Sequence, residues 1–149
     1  MKENINEKTN ICTRRFNFPR ELVYKAFWTP DQLALWWGPK GFTNTFHEFD
    51  FRPGGTWQFV MHGPDGTDYT NHSVFEDILP LERIVIHHLN APEFHLSITF
   101  EEIEGQTQVT FSQLFEKPIE SVHSKKFLSE ANEQIFDRLN EVIKIQMTF

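Results

Sequence analysis

Cysteine is almost absent from this chain. Cys12 stands alone, so no disulfide can close within it, and a single thiol suits a reducing cytosol. The opening MKENINEKTN is polar and has no apolar stretch of the kind that leads a secreted chain. No apolar run approaches the ~20 residues of a membrane-spanning helix. A cytoplasmic chain without membrane insertion is therefore expected. Basic charge is also scarce, with 14 Lys and Arg against 21 Asp and Glu and a net charge of −7. The adjacent pairs Arg14-Arg15 and Lys125-Lys126 do not make the basic stripe that phosphate backbones require, so nucleic acid is not an expected partner. No G-x-S-x-G elbow marks a nucleophile, and no glycine-rich loop opens a helix to cradle phosphate. His87 and His88 are strand neighbours pointing to opposite faces, and no structural-zinc spacing occurs. No catalytic residue, metal site or cofactor is expected.

Aromatic surface, by contrast, is abundant. Sixteen Phe in 149 residues supply rings of roughly 150–250 Å² each, enough for a thick core or an aromatic-lined cavity. The length suits a single domain, residues 1–149, with about residues 1–8 as a frayed tail.

The periodicity changes twice along the chain. Thr9–Asn17 alternates loosely and reads as a strand. Pro19 opens a helix at a position where its missing N–H costs nothing, and Leu22, Val23, Ala26 and Phe27 recur at helical spacing. Thr29, Pro30 and Gln32 mark a second helix start, with a capping box between Thr29 and Gln32. From Thr43 the period becomes two. Six strands are expected, at Thr43–Phe51, Thr56–His62, Tyr69–Leu79, Arg83–Leu89, Phe94–Glu102 and Thr107–Phe115, separated by Pro- and Gly-rich turns. Short connections imply an antiparallel meander. Phe46 and Phe49 fall on opposite parity, which calls for a bulge or a strand buried on both faces. After Pro118, Leu128, Ala131, Ile135, Leu139 and Val142 mark one long amphipathic helix, with Glu133, Asp137 and Arg138 on its other side.

The order β-αα-ββββββ-α implies an α+β fold, a curved antiparallel sheet around the long last helix with a cavity between them, and it resembles the helix-grip fold. The segments FPRELVYKAFWTPDQLALWWGPKGF, HEFDFRPGGTWQFVMHGPDG, FEDILPLERIVIHH and EQIFDRL carry a resemblance to the SRPBCC superfamily (START and Bet v-like). Within it the chain is similar to the branch related to the C-terminal domain of the activator of the ninety-kilodalton heat-shock chaperone's ATPase. One departure stands out: many relatives have Gly-Trp where this chain has Ala131-Asn132. The resemblance implies a hydrophobic cavity whose occupants in the family are lipids, polyketides, flavonoids or steroids.

Candidate ligand-binding residues follow from strand parity and the helix stripe. Trp57, Phe59 and Met61 share one face of their strand, Asn71 and Ser73 one face of the next, and Phe111 and Gln113 one face of the last. His88 shares parity with the inward Ile84 and Ile86. Of Trp36 and Trp37, one covers the mouth while the other packs underneath, and Trp37 joins the candidates; Leu128, Ala131 and Ile135 face the cavity from the helix. A small apolar or aromatic molecule is the expected partner. The alternatives are a co-chaperone-like interaction domain, or a cyclase- or hydrolase-type enzyme with His88 or His47 as general base. The chaperone reading is disfavoured, because the chain has no counterpart of the additional N-terminal domain of the eukaryotic activators; a homodimer is compatible with either of the others.

Overall fold

The computed structural model describes residues 7–119 and 122–148. The elements run β1 (Thr9–Phe16), α1 (Arg20–Trp28), α2 (Pro30–Trp36), β2 (Thr43–Phe49), β3 (Thr56–His62), β4 (Asp68–Leu79), β5 (Arg83–His88), β6 (Phe94–Ile103), β7 (Gln106–Phe115) and α3 (Val122–Thr148). One seven-stranded antiparallel sheet has the order β1-β7-β6-β5-β4-β3-β2. The meander from β2 to β7 follows from the short turns, and β1 closes the far edge by pairing with β7 from Thr9↔Leu114 to Phe16↔Thr107. The sheet curves around α3, which packs against β1 and both short helices. This is the helix-grip architecture. Most of the expected amino-terminal tail lies outside the described residues. Its last two, Glu7 and Lys8, are held to the sheet: their carbonyls accept from Ile119 N and Phe115 N.

The inner face is built by strict alternation. On β7, Thr107, Val109, Phe111, Gln113 and Phe115 are buried while their neighbours are not. On β2 the register shifts between Phe46 and Glu48. That bulge puts Phe46 and Phe49 on the same face, their rings stacked 5.8 Å apart, and resolves the parity conflict in the sequence. The 50–55 turn has no room for a side chain at Gly55, where a Cβ would sit 1.9 Å from the Asp50 carbonyl oxygen. From α3, Phe136 enters the centre of the core, 4.8 Å from Phe111 and 5.9 Å from Phe16 between ring centroids. Burying each such ring contributes roughly 1.5–3 kcal/mol.

Local signals were met differently at the two short helices. Pro19 is the residue preceding α1 rather than its first turn, and its carbonyl accepts the first helical bonds from Leu22 and Val23. The capping box expected at α2 does not form. Thr29 ends α1 as well as starting α2, and its N–H is already bonded to Lys25 O. Gln32 therefore has no N–H to reach back to, and it is buried instead. The last carbonyls of α2 are satisfied from outside, as helix ends require. Asn44 Nδ2 donates to Ala34 O at 3.0 Å and Trp37 O at 2.8 Å. Arg138 donates to Leu35 O and Gly38 O at 2.7 Å, to Phe42 O at 2.9 Å and to Pro39 O at 3.0 Å. Arg138 is thus not on the solvent side of α3, where its helical spacing puts it; it ties the 35–42 segment to the helix.

Candidate functional site

Between sheet and α3 lies a cavity of about 530 Å³. Alternation on β3 supplies Trp57, Phe59 and Met61 to its wall, β4 supplies Asn71 and Ser73, β5 His88, β7 Phe111 and Gln113, and α3 Ala131 and Ile135. Trp37 joins them from the end of α2. Its neighbour Trp36 points the other way, fully buried, with Nε1 donating to Ala26 O at 3.0 Å. The structure therefore brings eleven of the twelve sequence-derived candidates to one cavity. Leu128 is the exception: it faces an adjoining cavity of about 700 Å³, formed with Leu89, Phe115 and Ile119. The two cavities share Ala91, Pro92 and Phe127. His47 lines neither; it is exposed on β2.

The wall is mainly aromatic. Trp57 stacks on Phe59 at 4.2 Å and meets Trp37 edge-on at 5.1 Å. Gly38, at φ +99°, lets the chain pass Met61 closely: a Cβ there would lie 2.7 Å from the Met61 methyl. Sequence pattern did not single out Phe42, Tyr69, Pro92, Phe94, Asn132 or Phe127, which also line the cavity. Tyr69 and Phe94 had the alternation signal; Phe42, Pro92 and Asn90 come from turns, where periodicity carries no information. Phe127, on the helix stripe, is 64% exposed and sits where the cavities meet.

Two polar groups interrupt the apolar wall. In the first, His88 stacks on Phe94, with Nε2 2.8 Å from Asn71 Oδ1 and Nδ1 3.0 Å from Pro92 O. Both partners are acceptors, and a neutral imidazole has one N–H. One of the two oxygens is thus left without its donor unless the ring is protonated. Burial opposes protonation and holds the His88 pKa below its ordinary 6.5, with His87 adding to that effect and backbone acceptors at Pro92 and Asn90 opposing it. The sign is fixed by linkage. Between the folded and unfolded pKa values the unfolded chain binds the proton more readily. The stability from neutral His88 is full above about pH 6.5 and is lost as pH falls through the lower folded value. Urea unfolding at pH 7.5 and 5.5 should show a larger acid-induced loss in the native chain than in His88→Gln.

The second group is deeper. Asn132 Nδ2 donates to Gln113 Oε1 at 3.1 Å, Asn10 Nδ2 donates to the same oxygen at 3.4 Å, and Ser129 donates to Asn10 Oδ1 at 3.1 Å. Asn132 also donates to the buried Cys12 Sγ at 3.5 Å. Asn10, Gln113, Ser129 and Asn132 thus form a hydrogen-bonded polar floor. Gln113 uses its oxygen twice, and its amide nitrogen has no hydrogen-bond partner among the described residues.

Outside the cavity, on the opposite face of the sheet, Glu76, His87 and His95 present ligand atoms within 4.8 Å of one another. Sequence reasoning missed this cluster, because it forms only through the cross-strand register.

Comparison with known proteins agrees with the architecture. The family described as Activator of Hsp90 ATPase homolog 1-like protein matches residues 17–144. A crystal structure of a protein from Nitrosomonas europaea superposes with a TM-score of 0.86 at 21% identity, covering 96% of this chain and 98% of that one. A solution structure from Arthrobacter aurescens gives 0.82 at 21% identity, with coverages of 96% and 90%. A solution structure of an AHSA1-like protein from Aeromonas hydrophila gives 0.71 at 16% identity, with coverages of 91% and 93%. These identities speak to fold alone. No curated protein matches the sequence. Among the described residues no helix is long and apolar enough to cross a membrane. The family match spans most of the chain and the helix-grip architecture agrees with it, so the chain belongs to the Activator of Hsp90 ATPase homolog 1-like family, within the SRPBCC superfamily.

Proposed function

We propose that the chain binds a small, largely apolar or aromatic molecule, lipid-, polyketide- or flavonoid-like in character, in the cavity between the sheet and α3. The observation that carries this reading is the cavity itself. Its volume of about 530 Å³ falls within the roughly 300–1,000 Å³ of small-molecule sites. The superfamily's fold typically holds hydrophobic ligands, which agrees. Ring walls supply affinity by removing apolar surface from water at about 25 cal/mol per Å², and Met61 adds an adaptable contact.

The polar groups select the chemistry. Around His88, the Asn71 and Pro92 oxygens exceed the donors that a neutral imidazole provides, so a ligand hydroxyl or N–H is welcome there. The Gln113 amide nitrogen offers a donor to a ligand carbonyl or ether. An apolar ring system carrying a hydroxyl meets both requirements. His88 is the only imidazole among the described lining residues, and both its nitrogens face protein oxygens, which favours an orienting role over that of a general base. Binding without turnover is the reading these contacts favour.

The test uses two probes that differ by one group. In Asn71→Leu, which removes one of those two oxygens, affinity for 2-naphthol should fall about tenfold, the equivalent of ~1.4 kcal/mol, while affinity for naphthalene stays within about twofold. Equal losses for both probes, or no loss for either, would contradict the assignment of the Asn71 oxygen.

A further inference from the structure

The outer face of the sheet carries a second constellation, independent of the cavity. His87 on β5 lies directly opposite His95 on β6, and their rings stack at 4.0 Å. Residues so paired bring their side chains together across the strands. On β4 the register shifts between Phe75 and Asp77. The extra residue in that bulge is Glu76, which is exposed and hydrogen-bonds His95 Nδ1. Glu93, just before β6, contacts His87 Nε2 at 2.6 Å, and Glu116, just after β7, lies 3.6 Å from His95 Nε2.

Two imidazoles are thus surrounded by three carboxylates. Among the described residues no Lys or Arg forms an ion pair with Glu76, Glu93 or Glu116. A bound dication is the group that would neutralise such a site most directly. The donor set of two imidazole nitrogens and a carboxylate oxygen is one that Zn²⁺ accepts, and borderline ions such as Co²⁺ and Ni²⁺ share the preference. Around a tetrahedral ion with bonds of about 2.1 Å, ligand atoms stand about 3.4 Å apart. The observed spread of 4.8 Å closes to that by side-chain rotation, since Glu76 is exposed and the two His side chains are about a quarter to a third exposed.

From this geometry we infer that Glu76, His87 and His95 form a site for a zinc-class divalent cation, with Glu93 or Glu116 as the fourth ligand. The ion would join β4, β5 and β6 behind His88 and Phe94. It would also fix Glu93, and through it the 89–93 connection, whose residues Asn90, Ala91 and Pro92 rim the cavity. The site does not depend on what the cavity binds.

Calorimetric titration of the whole chain with Zn²⁺ tests the inference. One ion per chain at micromolar or tighter affinity is expected. Affinity should fall at least 30-fold in His87→Gln/His95→Gln and about tenfold in Glu76→Gln, an exposed position that leaves the fold intact. With Co²⁺ in place of Zn²⁺, the imidazole resonances of His87 and His95 should broaden ahead of those of the other histidines. Absence of Zn²⁺ binding up to 100-fold above micromolar, unchanged affinity in the variants, or broadening centred on other histidines would each overturn the site.

Discussion

Ala131→Trp is expected to abolish binding of an apolar probe without unfolding the chain. Ala131 sits on α3 and lines the 530 Å³ space together with Ile135, one turn on, and the stacked Trp57 and Phe59. An indole added there enters existing room rather than a packed core, so the usual cost of about 1–3 kcal/mol for overpacking is avoided. It also buries its own apolar area, and the melting temperature should hold or rise slightly. The probe, by contrast, loses the volume it needs. Fluorescence titration with 1-anilinonaphthalene-8-sulfonate should show affinity reduced by two orders of magnitude or more, about 2.7 kcal/mol, with an unchanged far-ultraviolet dichroism spectrum. Undiminished probe binding in a folded Ala131→Trp chain would place the site elsewhere. Ala131→Phe, with a smaller ring, should give an intermediate loss.

The second large effect is expected at Arg138. Its guanidinium donates to the carbonyls of Leu35, Gly38, Pro39 and Phe42, and burial lowers its pKa below the usual guanidinium value while leaving it cationic at neutral pH. Gln134, one turn earlier, accepts from Lys40 N at 3.1 Å. Together these hold the segment that contributes Trp37, Gly38, Pro39 and Phe42 to the cavity. Arg138→Ala leaves several carbonyls without donors. Charge-assisted hydrogen bonds contribute roughly 1.5–3 kcal/mol each, but water reaches some of these oxygens, so a net loss of about 2–3 kcal/mol is expected. For a chain of this size that is a fall of roughly 5–10 °C in melting temperature. Lysine should restore little of it, since one ammonium cannot span carbonyls that the planar fork reaches. A melting temperature within about 1 °C of the native value would show that the turn is held by its rings alone.

Arg138 also shows where sequence pattern stops. Helical spacing assigns it to the polar side of α3, correctly for a helix on a sheet, but blind to the turn after α2 that covers that side. Leu128 fails similarly: its stripe position is right, yet the first turns of α3 face a second cavity made by the 89–93 and 115–119 segments. Thr29 and Gln32 have the composition of a capping box, and the sharing of Thr29 between two helices removes the N–H it needs. What depends on local period was legible. The inward set Trp57, Phe59 and Met61, the parity break between Phe46 and Phe49 that becomes a bulge, and the inward His88 all follow from alternation. What depends on register was not. Nothing near His87 in sequence says that His95 stands opposite it, nor that Asn10, Gln113 and Asn132 meet. Asn10 and Gln113 are 103 residues apart and Gln113 and Asn132 19, and all of these contacts come only from strand register and the docking of α3.

Binding in the space between sheet and α3 is tested most directly by a ¹H–¹⁵N correlation titration with 2-naphthol. Saturable one-to-one shifts are expected at the Trp57 indole and at the backbone amides of Phe59, Phe111 and Ala131. Shifts confined to the outer face of the sheet, or none that saturate, would contradict it.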